Sequence, residues 1–347
     1  MPFRMPAEWE PHEGTWLAWP HEKSDWPGKF AAVPWIYCEI VKRLARSERV
    51  HILVNDEDSE RRSRNMLRKS GADLDSVDYF LCPTDRSWTR DFCPIFVRDE
   101  GEKPVILDWH FNGWAKYPNW QADDAIPSAI ARRLRLRKVT PRHGKHRIVL
   151  EGGSIDVNGK GTLLTTEECL LSDIQARNPR LTREDLENVF AEHLGITNTL
   201  WLKNGIAGDD THGHVDDLAR FTDPHTVVLA SEKERGDANY EPLRENLALL
   251  KSMKDEEGQP LRVVTLPMPE PLYFDGQRLP ASYANFYVAN EQVLMPTFND
   301  PNDRVALQTL AKLFPERKVS GIHATDLVLG LGTLHCLTQQ QIAVLTN

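Results

Sequence analysis

The spacing of apolar residues along the chain switches repeatedly between that of a helix face and that of a short buried strand. Ile36, Ile40, Val41 and Leu44 share one helical face between Val33 and Arg46, and the apolar run His51–Val54 behind them predicts a buried strand. Thr182-Arg-Glu-Asp185 is patterned like a capping box, with the shorter Asp in place of Glu or Gln. It predicts the start of a helix that buries Leu186, Val189, Phe190 and Leu194 and stops at Gly195, followed by a strand over Thr199–Leu202. Asp303 is a candidate cap for a helix carrying Leu307, Leu310 and Leu313 and ended by Pro315. Strands are predicted before it, at Ala284–Ala289 and Val293–Pro296, and after it, at Val319–Ile322. The recurring phrase is strand, strand, helix, strand. No stretch repeats another at a fixed period, so any repeat is one of structure alone.

With 347 residues, 40% hydrophobic and 27% charged, the chain has enough apolar surface for a large core. No Pro/Gly/Ser-rich linker or charge block divides it, and one domain over 1–347 is expected. The net charge of −9, with acidic residues spread throughout, argues against a nucleic-acid partner. Arg132–Lys145 is a short cationic stretch that reads as a solvated helix face and loop. An acidic body favours approach of a cationic substrate. The cysteines, Cys38, Cys82, Cys93, Cys169 and Cys336, follow no C-x-x-C spacing and indicate neither a disulfide framework nor a cysteine zinc site. The amino terminus lacks the apolar stretch of a signal peptide, and no apolar run approaches the roughly 20 residues that span a bilayer. A cytoplasmic protein with no membrane partner is expected.

Candidate chemistry is concentrated in four places. Gly330-Leu-Gly-Thr-Leu-His-Cys336 follows a predicted apolar strand, Asp326–Leu329, and sets a cysteine inside a glycine-interrupted turn where backbone can approach a ligand closely. Asp91 falls at a strand junction in Trp88-Thr-Arg-Asp91, where pairing with Arg90 is the plainest role for an isolated dipeptide. Glu151 ends the apolar run Ile148-Val-Leu150 directly before two glycines. In His212-Gly-His-Val-Asp216, period two along an extended segment would put His212, His214 and Asp216 on one face. A cysteine, a histidine and carboxylates far apart in sequence are the parts of a thiol enzyme. His-x-His-x-Asp is also the opening of binuclear metallohydrolase sites, so a metal hydrolase is a rival reading, although Asp217 stands where such sites have a further histidine. Hydrogen-bonded clusters in a binding protein are a third.

Taken together, Trp88-x-Arg-Asp91, Leu150-Glu-Gly-Gly-Ser154, Gly161–Leu170, Gly213-His-Val-Asp216 and His335-Cys-Leu-Thr-Gln-Gln340 resemble the agmatine deiminase family, the bacterial peptidylarginine-deiminase-like branch of the guanidine-modifying enzymes. The likeness runs from Met5-Pro-Ala-Glu-Trp-Glu-Pro-His12 to Gln340 and takes in Asn285-Phe-Tyr-Val-Ala-Asn290 and Phe314-Pro-Glu-Arg317. It implies an α+β fold, a five-bladed α/β propeller (pentein) of ββαβ units. It also implies hydrolysis of agmatine to N-carbamoylputrescine and ammonia, a step towards putrescine, through a cysteine-bound thiouronium and without metal or other cofactor. Cys336 would be the nucleophile, His214 the general acid and base, and Asp91, Glu151 and Asp216 the carboxylates that hold the guanidinium. Trp88 and Trp114 are candidates to flank the alkyl stem. Family members are dimers or larger assemblies, which makes a homo-oligomer an expectation here. Free or peptidyl arginine are the alternative substrates.

Several positions depart from the family pattern: Phe92-Cys93 for Thr-Gly, His212 for an acid, Gly330-Leu-Gly-Thr333 for Gly-Gly-Gly-Asn, and Trp114-Ala-Lys116 for Trp-Gly-Gly. Each lies near the expected site, and Cys93 reads as core. An ordinary thiol is only a few per cent ionised at neutral pH, and nearby carboxylates oppose ionisation until a cation binds. Activation of Cys336 by the substrate's own charge is therefore expected.

Overall fold

Five helices, three of them anticipated from the apolar spacing, each return the chain to a strand parallel to the one it left, and in four of the five modules an antiparallel pair precedes the helix. A computed structural model describes residues 3–345, so the two residues at each end of the expected 1–347 unit lie outside the described residues. Pro104–Leu107 pairs antiparallel with Ile95–Asp99 and, across the helix Ile126–Leu134, parallel with Arg137–Val139. Thr162–Thr166 does the same with Asp156–Val157 and Asn198–Leu202 around the helix Arg183–Leu194. The arrangement recurs for Thr226–Ser231 with Ala219–Asp223 and Arg262–Pro267, around the helix Tyr240–Ser252. It recurs again for Gln292–Thr297 with Tyr287–Val288 and Lys318–His323, around Pro301–Leu313.

The remaining module is assembled from both ends of the chain. Gln339–Ile342 lies antiparallel to His12–Ala18, which reaches the parallel strand Arg49–Val54 through the helix Val33–Leu44. Parallel partners need a long crossover, and these helices provide it while covering the sheets, whose middle strands are buried along nearly their whole length. The fold is α+β in content, with five sheets of one connectivity.

Local signals located the helices well. The Thr182–Asp185 capping box forms in both directions and Gly195 closes its helix at φ 73°. At the last helix the cap is Asp300, not Asp303; Pro301 takes the first helical position, and Asp303 is the reciprocal member of the box, bonded back to the Asp300 backbone. Asp326–Leu329 is not a strand. Val328 and Gly330 donate to Ala324 and Leu327 in tight turns, and the segment is apolar because Leu327 and Val328 are fully buried. The strand expected over Ala284–Ala289 contracts to Tyr287–Val288, because Asn285 turns inward to bond with Asp217 and Thr333.

A buried carboxylate from the amino-terminal loop ties the modules together. Glu8 accepts from Arg220 (2.9 Å) and the Val288 amide (2.8 Å) at Oε1, and from Arg90 (3.0 Å) at Oε2, which also lies 2.8 Å from His335 Nε2. Arg220 in turn reaches Asp156 (3.0 Å) and the Phe286 carbonyl (2.7 Å). Burial alone would raise the Glu8 carboxyl, but Arg220, His335 and Arg90 outweigh it and hold it well below its ordinary range. Removing one partner from such a buried cluster costs about 3–5 kcal/mol. Glu8→Ala should therefore lower the free energy of urea unfolding by about that amount at neutral pH. Because the folded-state pKa is depressed, the contribution of the charge is complete above the ordinary value of 4.5 and is lost as pH falls below it. The stability gap between wild type and Glu8→Gln should narrow as pH is lowered through that region; a constant gap would assign the effect to packing.

Candidate active site

The segments that lead into the first strand of each module meet at one place. Thr89–Phe92, a single helical turn, carries Asp91 ahead of Ile95; Glu151 precedes the turn Gly152–Ser154 and the strand at Asp156; His214 and the turn Val215–Asp217 precede Ala219; Asn285 precedes Tyr287; Cys336 precedes Gln339. Hydrogen bonds run between them. The Arg90 amide donates to the Cys336 carbonyl (3.1 Å), the Gly153 amide to Asp91 Oδ1 (3.1 Å), and Asn285 Nδ2 to both Asp217 Oδ1 (2.9 Å) and Cys336 Sγ (3.0 Å).

His214 is buried among three carboxylates. Nδ1 lies 3.8 Å from Asp91 Oδ1 and 3.9 Å from Asp216 Oδ1, and Nε2 lies 3.9 Å from Glu151 Oε2. These distances exceed a hydrogen bond, and both ring nitrogens, Glu151 Oε2 and Asp216 Oδ1 are buried without a partner. Burial disfavours the imidazolium, but Asp91, the neighbouring Cys169 sulfur and Asp216 outweigh it and hold the ring well above its ordinary pKa. The other oxygen of Glu151 takes Arg177 Nε at 2.9 Å. Asp216 Oδ2 lies 2.7 Å from His335 Nδ1, and the Asp216 carboxyl is depressed despite burial, chiefly through His335. Burial, reinforced by Asp216 and Glu151 against the pull of His214, pushes Asp91 up to about 6. The two glycines after Glu151 are explained here. A Cβ on Gly153 would stand 2.5 Å from His214 Nδ1 and 2.9 Å from Asp91 Oδ1, so any side chain would displace the cluster.

Cys336 and Asp91 line the floor of a cleft of about 230 Å³ whose walls include Trp88, Trp114, Tyr117 and Leu331. Trp114 does more than wall it, since Nε1 donates to Asp91 Oδ2 at 2.9 Å. Trp88 Nε1 donates to Asp25 (3.1 Å), whose other oxygen pairs with Arg86. At the mouth Asp210 accepts from Lys116 and from Tyr117 (2.7 Å). A Cβ on Gly332 would meet Trp88 at 2.9 Å and Cys336 Sγ at 3.2 Å, so this glycine lets the loop pass between tryptophan and sulfur. Burial, with Asp216, Asp217 and Asp91, pushes the Cys336 thiol well up.

The structure gathers Cys336, His214, Asp216, Glu151 and Asp91 at one site with Trp88 and Trp114 beside it, but it corrects the local reasoning. His212 does not share a face with His214 and Asp216: it sits at φ 65° and Gly213 at 91°, so the segment turns and His212 Nε2 meets Ser172 Oγ at 3.1 Å. Among the described residues, the donor clusters Glu151–Cys169–His214 and Asp216–Asp217–Cys336 both omit it. Asp91 sits in a helical turn and does not pair with Arg90, whose guanidinium reaches Glu8 and Gln340 instead. Ile148–Leu150 contributes only an isolated bridge at Val149. Phe92 and Cys93 pack into the core, away from the cleft. Ala115 and Leu331 keep the left-handed backbone at φ 54° and 68° where the resembled pattern has glycine. Sequence reasoning missed Asn285, His335, Asp217, Cys169 and Arg177. Asn285, His335 and Cys169 lie inside motifs noticed for their likeness, yet nothing in their spacing announces a role.

A family model described as Porphyromonas-type peptidyl-arginine deiminase matches residues 4–341. A protein of Stutzerimonas stutzeri named agmatine deiminase is 35% identical over 98% of this chain and 96% of its own. A structure of the agmatine deiminase of Enterococcus faecalis, described as catalysing its reaction, aligns with a TM-score of 0.90 at 30% identity, over 99% of this chain and 96% of that one. A cysteine-to-serine variant of the C. jejuni agmatine deiminase with substrate bound aligns with a TM-score of 0.87 at 32% identity, over 99% and 97%. Matched almost end to end by that family model and by these relatives, the chain belongs to the agmatine deiminase family of Porphyromonas-type peptidyl-arginine deiminases.

Proposed function

We infer that this protein is an agmatine deiminase, a hydrolase that converts agmatine to N-carbamoylputrescine and ammonia through a thiouronium on Cys336. The observation that carries the reading is the cleft floor, where the Cys336 thiol and the Asp91 carboxylate face the cleft and a buried histidine sits among Asp91, Glu151 and Asp216, the last two each with a partnerless oxygen. A guanidinium offers five donors in a rigid planar fork and satisfies such acceptors bidentately. The names of the relatives point to the same substrate. The five ββαβ modules, closed by the pairing of Gln339–Ile342 with His12–Ala18, support a five-bladed α/β propeller built as one domain.

In this mechanism Asp91, Glu151 and Asp216 hold the guanidinium, and the arriving charge offsets the carboxylates that keep the thiol protonated. The thiol loses its proton to solvent as the cation binds, while His214 stands as the imidazolium. Sulfur attacks the central carbon, a C–S bond forms, and the tetrahedral adduct collapses as His214 protonates the departing nitrogen, which leaves as ammonia. Water then adds to the thiouronium and gives a proton back to His214. Collapse to the ureido carbonyl breaks the C–S bond and releases the thiolate, and the remaining hydroxyl proton ends on ammonia as ammonium. Besides substrate and water, every group in this scheme is a side chain of the protein.

Agmatine, free arginine and a blocked arginyl peptide should be compared by ammonia and ureido-product release, with and without EDTA. Agmatine turnover is expected to survive EDTA and to vanish in Cys336→Ala; turnover abolished by EDTA would return the argument to metal hydrolysis, and preference for the peptide would reassign the substrate.

Asp91 holds the cation only when ionised, so kcat/KM for agmatine should fall as pH drops through about 6. Trp114→Phe removes a hydrogen bond to that carboxylate, an interaction of about 1.5–3 kcal/mol, and should move this acid limb up by roughly one to two pH units. An acid limb unmoved in Trp114→Phe would separate it from Asp91.

A further inference from the structure

We propose that Asn285 is a catalytic residue of this site, the side-chain donor that holds and stabilises the Cys336 sulfur as a thiolate. The inference rests on Cys336 being the nucleophile. Four of the five modules deliver Cys336, Asp91, Glu151 and the His214–Asp216 pair from the segment before their first strand. The corresponding segment of the fifth delivers Asn285, buried completely, with Nδ2 at 3.0 Å from Cys336 Sγ. That distance lies within the range of an N–H···O bond and is short for the larger sulfur atom.

The orientation of the amide follows from its partners. One end receives the Thr333 hydroxyl (2.7 Å), the His335 amide (3.0 Å) and the Cys336 amide (3.4 Å). The backbone amides only donate, so that end must be the carbonyl oxygen. The NH₂ end then faces Asp217 Oδ1 (2.9 Å) and the sulfur, one hydrogen for each. Thr333 thus has a use: its hydroxyl helps to lock the amide. Every ionisable neighbour of the sulfur described above is acidic, Asp216 Oδ2 at 3.7 Å with Asp217 close behind, and each opposes a thiolate. Among the described residues, Asn285 is the side chain that donates to it. No proton moves through the amide; it strengthens one hydrogen bond as charge collects on sulfur.

The test reads the thiol directly. Iodoacetamide labelling of the Cys336 peptide, followed by mass spectrometry across pH, gives an ionisation midpoint that needs no substrate. In Asn285→Ala the midpoint should rise by about one unit, which is tenfold slower labelling at a fixed pH below it. The kcat for agmatine should fall ten- to hundredfold with KM within about threefold, since the donor lies on the nucleophile and not on the substrate. A residue that merely anchored the loop would give the opposite sign, because a loosened loop admits water and lowers the midpoint towards the ordinary thiol value of about 8.5. A midpoint that falls or stays put overturns the proposal. Asn285→Leu, with the same number and branching of side-chain heavy atoms and no donor, decides by the same readout if Asn285→Ala fails to fold by thermal melting. Wild-type failure to turn over agmatine would count against the proposed function alone, because the labelling midpoint would still report on Asn285.

Discussion

A single carboxylate with donors from four modules is the constraint on which the site depends. Glu8 has no solvent to fall back on, so its charge is tolerable only while Arg90, Arg220 and His335 converge on it. Those partners are not remote from the chemistry. Arg90 precedes Asp91, His335 precedes Cys336 and also bridges to Asp216, and Arg220 follows the turn that carries His214. The ion cluster that joins the modules therefore also sets the positions of the reacting groups.

Above that cluster the charge balance is deliberately incomplete. Glu8 and Asp156 are paired with two arginines, whereas Asp91, Glu151, Asp216 and Asp217 gather around His214 with only Arg177 and the shared His335 as further cations. Mutual repulsion and burial raise Asp91 and the thiol together. A bound cation lowers both at once, and water has no equivalent effect. This supplies a physical reason for a deiminase to ignore neutral ureas, which match the shape of its product but carry no charge.

Much of this was legible in the sequence wherever the governing interaction is local. The Arg183–Leu194 helix is announced by its own capping box and terminal glycine, and the strand–strand–helix–strand phrase is visible in apolar spacing. Glu151 stood out as an acid ending an apolar run before two glycines, and the closeness of Gly153 to His214 shows that the second glycine does more than make a turn. Where partners come from other modules, local patterns misled. Asn285 looked like part of a strand, Asp91 like the partner of Arg90, and His212 like the neighbour of His214. Each was redirected by hydrogen bonds to segments tens or hundreds of residues away, which no window of sequence contains.

The strand that completes the first module begins three positions after Cys336, and its pairing with His12–Ala18 spans nearly the whole chain; Trp16 Nε1 bonds Gln341 across 325 residues. Contacts of such sequence separation carry the greatest loop-closure cost and form late in folding. The nucleophile is thus seated by the same pairing that closes the architecture, and a chain still folding keeps its thiol and its carboxylates apart until that pairing is made.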